Sequence, residues 1–575
     1  AFSGAIQDDG GALGIVKVGS GTQTFSGALS YTAPTTVEGG TLILSGTSTG
    51  AGLVTGNNGT LQLAGPAGGP PDHGTTVKGD LTINAGGTAR LNQHAQIKET
   101  SVVTINGGLL DFNGWIDGIG RLDMTGGTYA NTGSGFLLLN TNTNALTTNA
   151  ASTTATLSGR VSLRADNTFT VAAGSVPDGR DAVISGQIFS DAGGSWGLTK
   201  NGAGTLVLSG SNTFSGPLTV AEGTLSIPSW NNSSTNGPLG NSAAAVVLGS
   251  AGQTGILQYT GGASNTPSTL RPISLAAGGV GEVQLVFNSG DRNGNYVHIN
   301  GDRVTGDGGL TVDTRGGSAS ARFIVVGSAA YTGPTVVAAN SELQTNYGGA
   351  TVGTPFGAGL NGLGSAVTVN AGGILTFYSF NSSNTSDPKT IALGSLSGSG
   401  LVHGEGNGIH IFQIGGDDTS TLFSGLIQNG GAGPLSLTKI GSGSLTLTGN
   451  NSYTGGTTLN AGALLVDNTS GSGTGTGTVT VNGGLLGGTG MIGGNVMINA
   501  GGTISAGDSP GHLVLNAGYN QVALGTLLAE IGGNEQGITY DWIEVAGTAT
   551  LNPGAIIDIN WYGSFVGGGP FDILT

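Results

Sequence analysis

Several groups of residues have types and spacing that could do chemistry. Gly507-Asp508-Ser509-Pro510-Gly511 fits the Gly-x-Ser-x-Gly pattern of a nucleophile elbow, and His512 follows it directly. Such an elbow needs a sharp strand-to-helix turn, whereas no helical period follows here and Pro510 restricts the turn. In a chain with 115 Gly the pattern also arises readily by chance, so a corner loop is expected. The segments Lys17 to Thr22, Lys200 to Thr205 and Lys439 to Ser444 share a Lys-x-Gly-x-Gly turn. A nucleotide loop places its Lys after the glycines and opens a helix; these turns open strands and are expected to be structural.

Asp291-Arg292-Asn293-Gly294-Asn295, with Asp302 downstream, alternates oxygen ligands as calcium loops do. Tyr296 stands where such a loop needs Gly, and Arg292 brings opposing charge, so a solvated loop is expected. Asp8-Asp9 and Asp417-Asp418 are adjacent carboxylates, but neighbours on a strand point to opposite faces, which favours solvated turns over an acid pair. The six His, at 73, 94, 298, 403, 410 and 512, are scattered. An unbroken strand would put His403 and His410 on opposite faces. His403 and Glu405 could share one, but zinc needs a further ligand, and Gly404, Gly406 and Gly408 read as a loop. No catalytic, cofactor-binding or metal-ligating residue is assigned, and no cofactor is expected.

The elements that must position these residues are set by an unusual composition. Of 575 residues, 115 are Gly, 17 are Pro and only 48 are charged. Val, Ile, Leu and Thr recur throughout, which supplies a core and argues against disorder or collagen. The formal charge of −16 and the lack of a basic stripe disfavour nucleic acid and anionic membrane. No Cys is present, which removes disulfides and thiolate metal sites. No run of eighteen apolar residues could span a membrane as a helix. Ala1 is not followed by a signal sequence, so any such peptide has been removed or lies upstream.

Corners of the form Asn, Ala or Gly, Gly recur at Asn84-Ala85-Gly86, Asn106-Gly107-Gly108, Asn370-Ala371-Gly372, Asn482-Gly483-Gly484 and Asn499-Ala500-Gly501, each between short alternating strands. Small-residue corners at Gly462, Gly484, Gly502, Gly525 and Gly547 step by 22, 18, 23 and 22 residues. Those at Gly40, Gly59, Gly87, Gly108 and Gly127 step by 19, 28, 21 and 19, with an insertion near 65–74. Coils of this size cannot bury their own apolar face, but stacked coils share a core. The expected fold is all-β, a single-stranded parallel β-helix (β-solenoid) of roughly 26 coils of about 22 residues, giving a rod of roughly 125 Å.

A longer repeat overlies the coils. Each Lys-x-Gly-x-Gly turn leads through a strand into an aromatic corner: Tyr31-Thr32-Ala33-Pro34, Phe214-Ser215-Gly216-Pro217 and Tyr453-Thr454-Gly455-Gly456, with a partial copy at Tyr331-Thr332-Gly333-Pro334. At Phe2 to Leu44, Ile184 to Ile227, Phe423 to Val466 and Gly488 to Leu513 the sequence resembles the autotransporter-associated β-strand repeat of bacterial passenger domains. The resemblance implies a right-handed parallel β-helix, secreted across the outer membrane of a Gram-negative bacterium and acting in adhesion or surface architecture. It covers about a third of the chain; the other coils match in style alone. The tail from Tyr540 resembles the stabilising end of such passengers. No membrane barrel follows Thr575, so a translocator is expected to have been cut off or the anchor to be different.

The expected organisation is a solenoid body over 1–477, with inserted loops near 65–74 and 230–240, and a C-terminal solenoid end over 478–575. The expected function is non-enzymatic: an extracellular structural or adhesive surface protein, a rigid spacer that stacks end to end into a fibre. Expected partners are copies of itself and a host or neighbouring-cell surface. The alternatives are a receptor-binding virulence passenger and a polysaccharide-cleaving β-helix enzyme, the latter requiring carboxylates and basic groups along one groove.

Overall fold

The computed structural model describes residues 1–48, 53–55, 58–67, 74–140, 144–191, 193–261, 270–286, 296–314, 321–346, 352–354, 356–359, 364–379, 388–507, 510–563 and 570–575. The chain forms a parallel β-solenoid. Short strands of alternating apolar and polar residues pair with the strand one coil earlier and the strand one coil later. The alternation fixes which side chains face inward, and stacking satisfies the backbone groups that a single coil would leave open. The chain divides into two compact units, residues 1–261 with 269–282, and residues 262–268 with 283–575.

In the first unit one sheet runs from Thr22–Phe25 through Gly40–Leu44, Gly59–Leu63 and Thr88–Leu91 to Thr254–Tyr259. A second runs from Ile15–Lys17 to Ile273–Leu275, and a short third comprises Asp117–Ile119, Phe136–Leu139, Arg160–Leu163 and Ile188–Ser190. The register carries one inward column through Leu42, Leu61, Ala89, Leu110, Tyr129, Leu157 and Ile184. All seven are almost wholly buried. Ala89 leaves room between its leucine neighbours, and Tyr129 packs edge-on against Phe112 at 5.1 Å. The third sheet opens at a buried carboxylate. Asp117 accepts the amide N–H groups of Gln96 at 2.7 Å, Ile97 at 2.9 Å and Gly118 at 2.9 Å. Burial pushes its carboxyl up to about 8, against the pull of those donors.

In the second unit the principal sheet runs from Gly309–Asp313 to Ile556–Trp561. A second face contains Tyr296–Asn300, Arg322–Val326, Glu342–Asn346, Ile374–Ser379, Leu401–Gly406 and Leu426–Asn429. A third runs from Val352–Gly353 through His410–Ile414 to Ala549–Leu551. Here the inward column is Leu445, Leu464, Leu486, Ile504, Leu527 and Ile557. It is buried up to Leu527, while Ile557 is 48% exposed. The Trp542–Val545 strand is extended by the tail, with Ile543 bridged to Leu574 and the Trp542 indole N–H donating to the Thr575 hydroxyl at 2.8 Å.

At the Asn-containing corners the glycine, not the asparagine, takes positive φ: Gly86 at 76°, Gly107 at 79°, Gly372 at 75°, Gly484 at 78° and Gly501 at 87°. The asparagines stack instead. Asn482 donates to Asn460 at 2.9 Å and Asn499 to Asn482 at 2.7 Å, an amide ladder along one corner. The register steps through Thr41, Thr60, Thr88, Leu109 and Thr128 match the glycine spacing of the N-terminal coils. Near the C-terminus the register agrees through Gly462, Gly484, Gly502 and Gly525, but Gly547 breaks the series. Thr526 pairs with Ile556. Residues 532–541 form their own turn within that coil, with Gly532 donating to the Thr539 carbonyl at 2.8 Å, and Gly547 packs on Ala517 and Gly518 at another corner.

Residues 68–73 of the segment near 65–74 lie outside the described residues. The segment 230–240 is packed down: Trp230 and Leu239 are buried, and the Trp230 indole N–H donates to the Arg271 carbonyl at 3.1 Å. The Arg271 side chain lies beneath it, donating to the carbonyls of Ala244 at 2.8 Å and of Leu239. Burial pulls the Arg271 guanidinium down to about 10.

Candidate functional site

The three Lys-x-Gly-x-Gly turns share one construction. Lys17 Nζ donates to the carbonyls of Val18 at 2.8 Å, Gly19 at 2.8 Å and, one coil on, Gly39 at 3.0 Å. Lys200 donates to Asn201 at 3.2 Å, to Gly202, and to Glu222 at 2.9 Å. Lys439 donates to Ile440 at 2.5 Å, Gly441 at 3.1 Å and Ala461 at 3.5 Å. The ammonium thus caps the turn that follows it and ties that turn to the next coil. With all three N–H donors on main-chain carbonyls, each ammonium has a structural role. Burial pulls Lys200 down to about 8 and Lys439 below its usual range.

The aromatic corners carry a second device. The hydroxyls of Tyr31 and Thr35 are hydrogen-bonded, as are Tyr331 with Thr335 at 2.5 Å and Tyr453 with Thr457 at 2.6 Å, all buried. In the remaining copy both hydroxyls are missing together, because Phe214 and Leu218 occupy the two positions, and both are buried. Losing the threonine alone would strand the buried tyrosine hydroxyl, whereas Thr335 and Thr457 also donate to the carbonyls of Phe356 at 2.7 Å and Thr474 at 3.4 Å. Two residues before the aromatic, Asn212 accepts from Ile188 N–H at 2.8 Å and donates to Pro238 at 2.9 Å. Asn451 likewise joins Ile427 N–H at 2.8 Å to the Gly473 carbonyl at 2.6 Å.

A polar cluster lies on the outward-pointing side of the sheet from Tyr296–Asn300 to Leu426–Asn429, most of it covered from solvent. The register aligns Tyr296, Arg322 and Glu342 in one column and His298, Ile324, Gln344, Thr376, His403 and Gln428 in the next. Arg322 donates to Gln344 Oε1 at 2.9 Å. Thr376 donates to Glu342 Oε1 at 2.8 Å, and its hydroxyl also lies 2.9 Å from His403 Nε2. His403 Nε2 is 3.9 Å from Glu405 Oε1. Glu342, Gln344, Thr376 and His403 are buried. Burial, then the charge of Arg322, holds His298 below the usual imidazole range. Acid, base and hydroxyl groups are thus joined into one hydrogen-bonded chain across successive coils.

That face corrects one expectation. His403 and Glu405 stand on the strand Leu401–Gly406 rather than in a loop, and His403 is buried. His410 belongs to a different sheet, so an unbroken-strand argument does not apply; it is buried, with Nε2 3.1 Å from the Glu405 carbonyl. Glu342, Arg322 and Thr376 were not singled out, because they meet only through a register that local spacing does not encode.

The other candidates are dispersed. Asp508 and Ser509 lie outside the described residues, as do Asp291–Asn295 and His73. His512 stacks on Trp542 with ring centroids 3.7 Å apart, and its Nε2 is 3.0 Å from Glu544 Oε2. His94 accepts from Ile116 N–H at 3.1 Å and packs edge-on against Trp115. Asp8 accepts from Leu13 N–H at 2.7 Å and the Thr32 hydroxyl at 2.7 Å, which hold its carboxyl below the usual range. Asp417 and Asp418 diverge: Asp417 accepts from the Ser395 hydroxyl at 2.7 Å, whereas Asp418 accepts from Ser442 N–H at 2.7 Å. Among the described residues no group of three or more His, Cys, Asp or Glu could hold a metal ion, and no helix is long and apolar enough to cross a membrane.

Stacked parallel coils with a periodic lysine-capped turn define a solenoid of the passenger type. The passenger-associated-transport-repeat family matches residues 15–44, 198–227 and 437–466, the three segments that carry Lys17, Lys200 and Lys439. An adhesin, the BmaC autotransporter of Brucella suis biovar 1 (strain 1330), is 30% identical over 275 residues, covering 47% of this chain and 7% of that protein. These findings support an autotransporter passenger domain, placed outside or on the outer-membrane surface of a Gram-negative bacterium.

Proposed function

We propose that the chain is a non-enzymatic adhesive passenger, whose solenoid is a rigid spacer and whose outer faces meet a host or neighbouring-cell surface. The observation that carries this reading is the coincidence of the passenger repeats with the lysine-capped turns, together with similarity to a protein named an adhesin. Comparing adherence of cells displaying the chain with cells lacking it tests the reading. Equal adherence on every cell type tried would overturn it.

We further propose that apolar coil edges accept another parallel coil, which would extend the solenoid into a fibre. Most of the exposed large apolar side chains fall on two sets of coils: Phe2, Leu13, Val16 and Val18, and Leu524, Leu551, Ile556, Ile557 and Trp561. Open parallel edges with apolar side chains favour strand addition. Residues 478–575 then serve as a stabilising segment, resting on the bridge of Ile543 to Leu574 and the packing of Phe571 against Tyr540 at 5.2 Å. Electron microscopy of surface material decides between the forms. Continuous filaments support coil addition between copies, and isolated particles at high concentration count against it.

A further inference from the structure

The outward side of the short third sheet in the first unit carries a cation that is held in place and given no counter-charge. Along Phe136–Leu139, Arg160–Leu163 and Ile188–Ser190, alternation buries Leu137, Val161 and Ile188 and turns Phe136, Arg160 and Phe189 outward. The register sets Arg160 beside Phe136, and Phe189 beside Ser162 on the next coil. Phe136, Arg160, Gln187 and Phe189 are each half-buried, so part of every one meets solvent.

The guanidinium is held from several directions. Its carbon lies 4.5 Å from the Phe189 ring centroid and 5.8 Å from that of Phe136, and the two rings meet edge-on at 5.2 Å. Arg160 Nε donates to Gln187 Oε1 at 3.2 Å, and Nη1 donates to the carbonyl of the exposed Ser134 at 3.1 Å. Gln187 is tied in turn to the Ser211 carbonyl at 3.1 Å. A guanidinium has five N–H groups, and these bonds use two of them. Nη2 keeps both of its N–H groups free of acceptors among the described residues and is not enclosed by protein. Arg164, just past the same strand, is paired with Asp191 at 3.1 Å, whereas no carboxylate among the described residues pairs with Arg160.

The chemistry narrows the ligand. An ordered, unpaired guanidinium beside half-exposed rings suits an anionic oxygen carried on a body with an apolar face. A free inorganic ion has no such face. A polyanion would find one open cation here against a formal charge of −16 on the chain, which disfavours nucleic acid. A sugar ring can lay its C–H groups on an aromatic ring, and an acidic sugar adds one planar carboxylate that matches a single guanidinium in charge and shape. We infer that Arg160, with the rings of Phe136 and Phe189, binds the carboxylate of an acidic sugar unit in a surface glycan. This rests on the adhesive reading and gives it a ligand class.

The test uses the full chain on immobilised oligosaccharides ending in sialic or uronic acid, with the same oligosaccharides methyl-esterified at the carboxylate and with sulfated ones beside them. Binding to at least one carboxylated glycan is expected, weakened by about tenfold or more on esterification and in Arg160→Gln. The esterification arm uses the wild-type chain, so the test stands even if Arg160→Gln fails to fold. Absence of carboxylated-glycan binding, binding indifferent to esterification, equal binding to sulfated glycans, or binding unchanged in a folded Arg160→Gln chain overturns the inference. If the wild-type chain still adheres to cells in that case, the sugar site fails and the adhesive reading survives; loss of both overturns both.

Discussion

The ammonium of Lys200 lies 2.9 Å from the main-chain carbonyl of Glu222, on the next coil of the solenoid. That contact, with those to Asn201 and Gly202, makes a wholly buried lysine a pin between coils. Lys200→Met removes the donors and leaves the carbonyls unpaired. Since each such loss costs about 1–3 kcal/mol, and the buried charge is removed at the same time, a net destabilisation of about 1–3 kcal/mol is expected in urea unfolding.

The same lysine sets a pH dependence. Its folded pKa, about 8, lies below the reference 10.5, so between those values the unfolded chain binds more protons. Its contribution to stability therefore rises with pH across that window. Comparing unfolding free energies at pH 7.5 and 10 should show an increase in the wild type that Lys200→Met lacks.

Asp117 should act with the opposite sign at lower pH. Its carboxyl is pushed up to about 8 from 3.8, so the folded chain holds a proton that the unfolded chain releases. The stabilisation from this group is full below pH 4 and is lost as pH rises through 8. Asp117→Asn should flatten that decline in denaturation curves recorded from pH 4 to 8.

The Tyr453–Thr457 hydroxyl pair, against Phe214 and Leu218 at the matching corner, supplies a double-mutant cycle. Thr457→Val should cost about 1–2 kcal/mol by stranding the buried tyrosine hydroxyl, Thr457 itself having a second partner in the Thr474 carbonyl at 3.4 Å. Adding Tyr453→Phe should recover part of that loss, giving a coupling of about 1 kcal/mol in chemical denaturation.

Position along a column should set the cost of truncation. Leu464 is fully buried between Leu445 and Leu486, whereas Ile557, in the same column, is 48% exposed. Leu464→Ala should cost about 2–5 kcal/mol. Ile557→Ala should cost less than half as much, unless a further coil covers it, in which case its cost rises with protein concentration.

Much of this architecture was legible in the residues. Glycine spacing reproduced the register where coils are uniform, because a corner that needs positive φ leaves a local signature. It failed at Gly547, where the turn in residues 532–541 lengthens one coil and leaves an unrelated corner glycine at a plausible distance. The lysine turns show in the sequence as a motif, but their carbonyl partners on the next coil are invisible to it. The Glu342–Thr376–His403 chain had no sequence signal, since its members come from different coils whose lengths vary.

The most direct test of the adhesive account is the retention under flow of beads coated with the folded, purified chain on host-type and bacterial cell layers, against beads coated with heat-unfolded chain. The account predicts that folded-chain beads are retained several-fold more on at least one layer. Equal retention of folded and unfolded coatings on every layer would contradict it.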